Sequence, residues 1–363
     1  MKPFFPRAFC VVASLAIALL ATLDGTLPAA EIRVIEPDRE PEISGKEVDW
    51  IYGDYLISND HLSLTVAAPL ATRDANMTIR NIGAAILDLT LNHPSNDQLS
   101  AYIPTAGRYL FHDPSKVETG RDGDAVFWQC RSSRSLANDG TTATVRYRLE
   151  DGDTFVEATV WIEGDAAKAV RAFDGVRADG WFSFETSGRM AYCTDSFFRQ
   201  TIGFKIPAAQ QPPQWKRGRP YQLRYQDDAI ERADGKRKWT VLLYPATSPI
   251  DLKSVAEQTD VSPAMYRFVV SLQTPRDERI DSIIRAQIAL RSVDEKGDDL
   301  REPATLQTDD DGVAYARLVP GNYVAVASAI GYESVELAFK SSALGGSVTI
   351  PLAAASGVRA AVN

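Results

Sequence analysis

The densest concentration of groups able to do chemistry lies between Trp215 and Trp239. Eight cations (Lys216, Arg217, Arg219, Arg224, Arg232, Lys236, Arg237 and Lys238) stand there against four acids, Asp227, Asp228, Glu231 and Asp234. Trp215, Tyr221, Tyr225 and Trp239 are interleaved with them. Aromatic faces stack on sugar rings, and guanidinium forks take sulfate or carboxylate through paired hydrogen bonds. Trp215, Lys216, Arg217, Arg219, Tyr221, Arg224, Lys238 and Trp239 are therefore the candidate ligand-binding residues, for a carbohydrate or an anionic polysaccharide. The competing reading is a hairpin in which YQLRYQ pairs with KWTVLLY and the charges decorate its loop and edge as a guard against aggregation.

Other catalytic devices have little support. The three histidines are His61, His93 and His112, with no pair at the i, i+4 spacing of a zinc helix. There is no G-x-S-x-G elbow and no phosphate-cradling glycine loop. Any two of the many acids could meet in space as a glycosidase pair, but no spacing marks such a pair. No catalytic residue is assigned, and nothing calls for a metal or cofactor. Asp309-Asp310-Asp311 reads as a solvated turn, since an EF-hand-type calcium loop needs further spaced ligands and a terminal Glu. If His61, His93, His112 and Glu185 met in one pocket, an enzyme would be favoured.

The elements that must position these groups are strands. Tyr55 to Ala67 alternates around an Asn59-Asp60 turn, and Ala84 to Leu91 is a short apolar run. The clearest meander runs from Thr142 to Phe173, turning at Asp151-Gly152-Asp153 and again at Gly164-Asp165, with AKAVRAF opening a third strand. Further strands are predicted at Trp181 to Glu185, Tyr221 to Tyr225, Trp239 to Tyr244 and Tyr266 to Leu272. Ile250 to Thr259 is the best helix candidate. With 363 residues, 45% of them apolar, the chain has core for two domains. The polar stretch TPRDERID around Thr274 marks the boundary between them. The expected layout is a large antiparallel β-sandwich over 31–275, a linker at 276–282, a small β-sandwich over 283–353 and a tail at 354–363. The fold class is all-β.

Residues 1–30 read as a secretory signal. Lys2 and Arg7 precede an uncharged apolar run from Phe9 to Leu23, and Ala29 and Ala30 supply small residues for a peptidase. Export implies a secreted or periplasmic protein, with no membrane span after cleavage. Cleavage takes away two cations and one acid, moving the formal charge from −9 to −10. That balance argues against nucleic acid as a partner. Cys10 leaves with the signal, and compartment logic predicts a Cys130–Cys193 disulfide, the alternative being two separate buried thiols.

Two resemblances refine this. The run TDDDGVAYARLVPGNYVAVASAIGYE resembles the carboxypeptidase regulatory-like, or prealbumin-like, domain at Thr308, Asp309, Gly312, Leu318, Pro320, Gly321, Tyr323, Gly331 and Tyr332. That resemblance implies a small immunoglobulin-like sandwich and a scaffold or adhesion role. YRLEDGDTFVEATVWIEGDAAKAVRAFD resembles the galactose mutarotase-like supersandwich, a sugar-associated fold. The family's activity needs a histidine acid and a glutamate base. Its second, well-spaced histidine has no counterpart here, because no histidine follows His112. The opening GDYLISNDHLSLTVAAP is similar to the leading domain of exported bacterial proteins that carry a metallohydrolase domain downstream. The expectation is an exported, non-catalytic binding or scaffold protein that recognises carbohydrate at the cell surface. The alternatives are a carbohydrate-active enzyme of supersandwich type and a subunit contacting an envelope protein.

Overall fold

The computed structural model describes residues 29–75, 79–178, 182–233, 235–256, 262–272, 283, 285–300 and 303–355. The apolar leader before residue 29, the linker at 276–282 and the tail from 356 lie outside the described residues. The described chain is all-β, with a single α-helix, Pro249–Ala256. No described helix is long and apolar enough to cross a membrane.

Two large antiparallel sheets face each other. The first orders its strands Glu31–Val34, Tyr55–Ser58, Leu62–Val66, Ile86–Leu91, Ala101–Ile103, Phe173–Arg177, Tyr221–Arg224 and Gln214–Lys216. The second orders Ser183–Ser187, Met190–Asp195, Gln200–Lys205, Lys236–Ala246, Val156–Glu163, Thr142–Glu150, Ala125–Arg131 and Val117–Asp122, with Glu231–Ala233 paired beside Lys236–Ala246. Alternation drives this arrangement. In Thr142–Glu150 every second residue, Ala143, Val145, Tyr147 and Leu149, is buried. Burying a side chain such as Val145 or Leu149 stabilises the fold by about 1.5–3 kcal/mol. They meet Leu64, Tyr102 and Val176 from the first sheet in one core. Asn59 fulfils its turn assignment: its Oδ1 accepts from the amides of His61 and Leu62, and its Nδ2 donates to the carbonyls of Glu150 and Asp153. One side chain thus closes a hairpin of the first sheet and ties it to a turn of the second.

A smaller sandwich follows. Val313–Leu318, Ala264–Leu272 and Gly346–Leu352 form one layer; Ala304–Gln307, Gln287–Val293, Gly321–Ser328 and Val335–Ser341 form the other. Phe268, Leu290, Ala325 and Ile350 lie in its separate core.

Four expectations are corrected. The strand at Tyr266 to Leu272 does not belong to the large sandwich: it runs as Ala264–Leu272, antiparallel to Val313–Leu318 and parallel to Gly346–Leu352. The meander's third strand does not form beside its second. Residues Asp165–Ala169 make a 3-10 turn, and the chain crosses to the opposite sheet, where Phe173–Arg177 pairs with Ala101–Ile103 and Tyr221–Arg224. YQLRYQ and KWTVLLY lie in different sheets, so the charged hairpin does not exist. Cys130 and Cys193 are free and buried. They sit on strands of one sheet with four others between them, roughly 24 Å along the hydrogen-bonding direction, far beyond disulfide reach. Burial pushes the Cys130 thiol up to about 12 and raises that of Cys193 as well.

Candidate functional site

The structure disperses the eight candidate ligand-binding residues. Trp239 is 1% exposed and belongs to the core. Its Nε1 donates to Asp174 at 3.2 Å, a buried carboxylate that also accepts from the Tyr102 and Tyr225 hydroxyls and the Thr105 amide. Trp215 and Tyr221 are engaged by Phe184: Tyr221 stacks on that ring at 3.9 Å, and Trp215 meets it edge-on at 4.9 Å. Lys216, Arg217 and Arg219 are exposed on the strand edge and following loop. Arg224 donates to Gln222 at 3.3 Å, and Lys238 pairs with Glu231 on the other sheet at 3.1 Å. These eight do not make one binding surface.

The histidines do not converge with Glu185 either. His61 is exposed, 3.5 Å from the Asp60 carboxylate. His112 lies by Ser133, whose hydroxyl accepts its backbone amide. Only His93 comes near Glu185's surroundings, edge-on to Tyr315 at 5.6 Å. Asp309 closes its own turn, accepting from the amides of Asp311 and Val313. Among the described residues no group of three or more His, Cys, Asp or Glu could hold a metal.

What the tertiary structure builds instead is a cleft between the two sandwiches, about 480 Å³ in volume. Its construction begins at Ser248, whose hydroxyl accepts the Asp251 amide and caps the helix, with Pro249 in the first turn where a missing N–H costs nothing. The helix rests on the second sheet through Leu252 and Val255, packed with Met190, Tyr192, Leu242 and Tyr244. Its Ile250 enters the small sandwich's core. Asp251, 0% exposed, accepts from Arg317 Nε at 2.6 Å and Nη2 at 3.1 Å, and from the amides of Arg317 and Thr247. Arg317 Nη2 also donates to the Pro245 carbonyl, and the Thr247 hydroxyl donates to the Tyr315 carbonyl at 2.6 Å. These bonds fix the small sandwich against the end of the strand Lys236–Ala246.

The walls follow from that fixing. One wall carries Ser183, Glu185, Tyr192 and Thr194 from adjacent strands of the second sheet; the facing wall carries Thr305, Gln307, Asp309 and Tyr315. Glu185 is oriented by hydroxyls: Ser183 donates to Oε1 at 3.0 Å and Tyr192 to Oε2 at 2.7 Å. The base is the turn between Asp195 and Gln200. Asp195 accepts the amides of Phe197 and Phe198, Asn96 donates to the Phe198 carbonyl, and Gln200 bridges the Gln98 amide and the Leu89 carbonyl. Arg199, which lines the cleft, is held at φ +57°, a conformation side-chain-bearing residues rarely adopt. Two cations, Arg199 and Lys253, balance two acids, Glu185 and Asp309, and most of the remaining lining is hydroxyl, amide and small apolar groups. No spacing signal in the sequence announces this site, because its residues come from six separated segments.

No family model matches the sequence, and no curated protein matches it. Among solved structures the chain is similar to a TPR-domain containing protein from Parabacteroides distasonis ATCC 8503, at 10% identity and a TM-score of 0.37, over 62% of this chain and 56% of the other. This chain thus spans a little over half of that protein's length, and so low a likeness carries no argument.

Proposed function

We propose that this chain is an exported, non-catalytic carbohydrate-binding protein whose ligand is a neutral saccharide held in the cleft between its two sandwiches. The observation that carries the reading is the cleft's lining: a rigidly fixed gap with balanced charge, many hydroxyl and amide groups and two tyrosines, Tyr192 and Tyr315. Sugars present hydroxyls to such donors and acceptors and an apolar face to a phenol ring. A site fixed before binding loses little conformational entropy when filled. Glu185, both oxygens already steered by hydroxyl donors, serves as an acceptor for sugar hydroxyls.

The test is calorimetric titration of the processed chain with neutral oligosaccharides of two to four hexose units. Saturable binding that weakens at least about tenfold in Tyr315→Ala and in Gln307→Ala supports the proposal. No binding across the panel, or equal affinity in both variants, rejects it. Glu185 also favours the second reading, a carbohydrate-active enzyme: turnover of the sugar that Glu185→Gln abolishes would establish that reading in place of simple binding.

A further inference from the structure

The structure assigns a second ligand site, for the acidic group of a saccharide, to a basic hollow at the opposite end of the strand Lys236–Ala246 from the cleft. The eleven residues of that strand separate the two places by roughly 30 Å at about 3.3 Å per residue. The hollow has a volume of about 390 Å³ and is lined by Lys168, Arg171, Arg224, Arg232 and Arg237, with Asp227 as its sole acid. Its size lies within the range of ligand pockets, about 300–1,000 Å³.

Folding brings these cations together from four elements. The 3-10 turn Asp165–Ala169 supplies Lys168, and the chain leaving it supplies Arg171. The strand Tyr221–Arg224 of the first sheet supplies Arg224; Glu231–Ala233 and Lys236–Ala246 of the second supply Arg232 and Arg237. Asp227 is already committed to Arg232 at 2.5 Å. Among the described residues neither Lys168 nor Arg171 has an acid partner. Arg237 is 6% exposed; its Nη1 donates to the carbonyls of Val170 and Lys168, while its Nε is buried with no partner among the described residues. Burial and the neighbouring Arg232 lower the Arg237 pKa, which an anion in the hollow would reverse. Like charges converging around an unfilled donor describe an oxyanion site, and guanidinium forks match carboxylate or sulfate.

That the carrier is a saccharide rests on the function proposed above; the net charge bears on its size and charge density. The formal net charge of the chain is −9, which disfavours a long, densely charged polymer such as nucleic acid. A short saccharide bearing one sulfate ester or uronate is not. The two sources share oxyanion chemistry and are separated by experiment.

Titrations would use a sulfated tetrasaccharide, a uronate tetrasaccharide, a neutral tetrasaccharide, inorganic sulfate and a single-stranded DNA oligonucleotide, each at two salt concentrations. The expected result is saturable binding of the sulfated or the uronate saccharide, weakened by salt and cut at least about tenfold in Arg171→Gln/Arg224→Gln, with the neutral saccharide unaffected by that variant. Whichever of the two binds more tightly identifies the acidic group. Lys168→Gln/Arg171→Gln, both exposed, replaces the first variant if its thermal midpoint falls. Absence of acidic-saccharide binding, equal affinity in the variant, binding of free sulfate alone, or equal binding of DNA would overturn the assignment. Because the neutral saccharide reports on the cleft and the acidic ones on the hollow, failure of one reading leaves the other standing.

Discussion

Asp88 is 0% exposed, and burial pushes its carboxyl up to about 7; the Thr65 hydroxyl and the Asp49 amide pull it back, while the Asp49 and Asp54 charges raise it further. Burial raises Asp97 too, and the Asp88 charge adds to it. The sign follows directly. Above about pH 7 both folded and unfolded chains carry the Asp88 charge, and the fold bears the full burial penalty. Between about 7 and the ordinary carboxylate range only the folded chain takes up the proton, so stability rises as pH falls. Asp139 works in the opposite sense, held low by the Thr141 hydroxyl and Arg108, but its contribution is fully present above the ordinary range and is lost only below it. The thermal midpoint is therefore expected to increase from pH 8 to pH 5, by the equivalent of about 2–4 kcal/mol. Asp88→Asn should flatten that rise, since an amide can accept from the Asp49 amide and bond the Thr65 hydroxyl without ionising. A profile equally steep in the variant would remove Asp88 from the account. None of these carboxylates was legible in advance, unlike the turn-forming Asn59, because an Asx turn is local whereas burial of Asp88 depends on strands far away in sequence.

At the scale of elements, alternation was readable where only one face meets a core, as in Thr142–Glu150. It failed at AKAVRAF, where Ala167, Val170 and Ala172 are buried without belonging to a strand. A period of two cannot tell a strand from a crossover that packs between sheets. The helix Pro249–Ala256 was anticipated at Ile250, but its seat was not. A Cβ on Gly203 would stand 2.5 Å from Leu252 Cδ1 and 3.0 Å from Met190 Sδ, so a side chain there would have to push Leu252 and Met190 aside. Gly203→Val is expected to cost about 1–3 kcal/mol by overpacking. Combined with Leu252→Ala it should destabilise by less than the sum of the two single changes, measured by denaturant unfolding. Strict additivity would mean the two side chains do not compete for that space.

At the scale of the molecule, one buried pair governs how the two sandwiches sit. Asp251 comes with the helix of the large unit and Arg317 with a strand of the small one, 66 residues apart. Arg317→Met leaves the Asp251 carboxylate buried without its cation, a change that typically costs about 3–5 kcal/mol. The expected readout is calorimetric: the small sandwich should melt in a separate, earlier transition, and the cleft should lose its saccharide affinity with it. One transition at an unshifted midpoint would show that the pair does not couple the units.

The all-β class and the turn chemistry were present in the sequence alone, because each arises from neighbours along the chain: alternate side chains, a glycine at a turn, a hydroxyl beside an amide. The tertiary structure decided the rest. It put Trp239 inside against Asp174, kept Cys130 and Cys193 far apart on one sheet, and moved Ala264–Leu272 into the second sandwich. It also assembled the cleft and the basic hollow from segments that have no spacing in common. Those outcomes depend on which strand lies beside which, and pairing between distant strands is fixed by the total burial of the whole fold rather than by any local stretch.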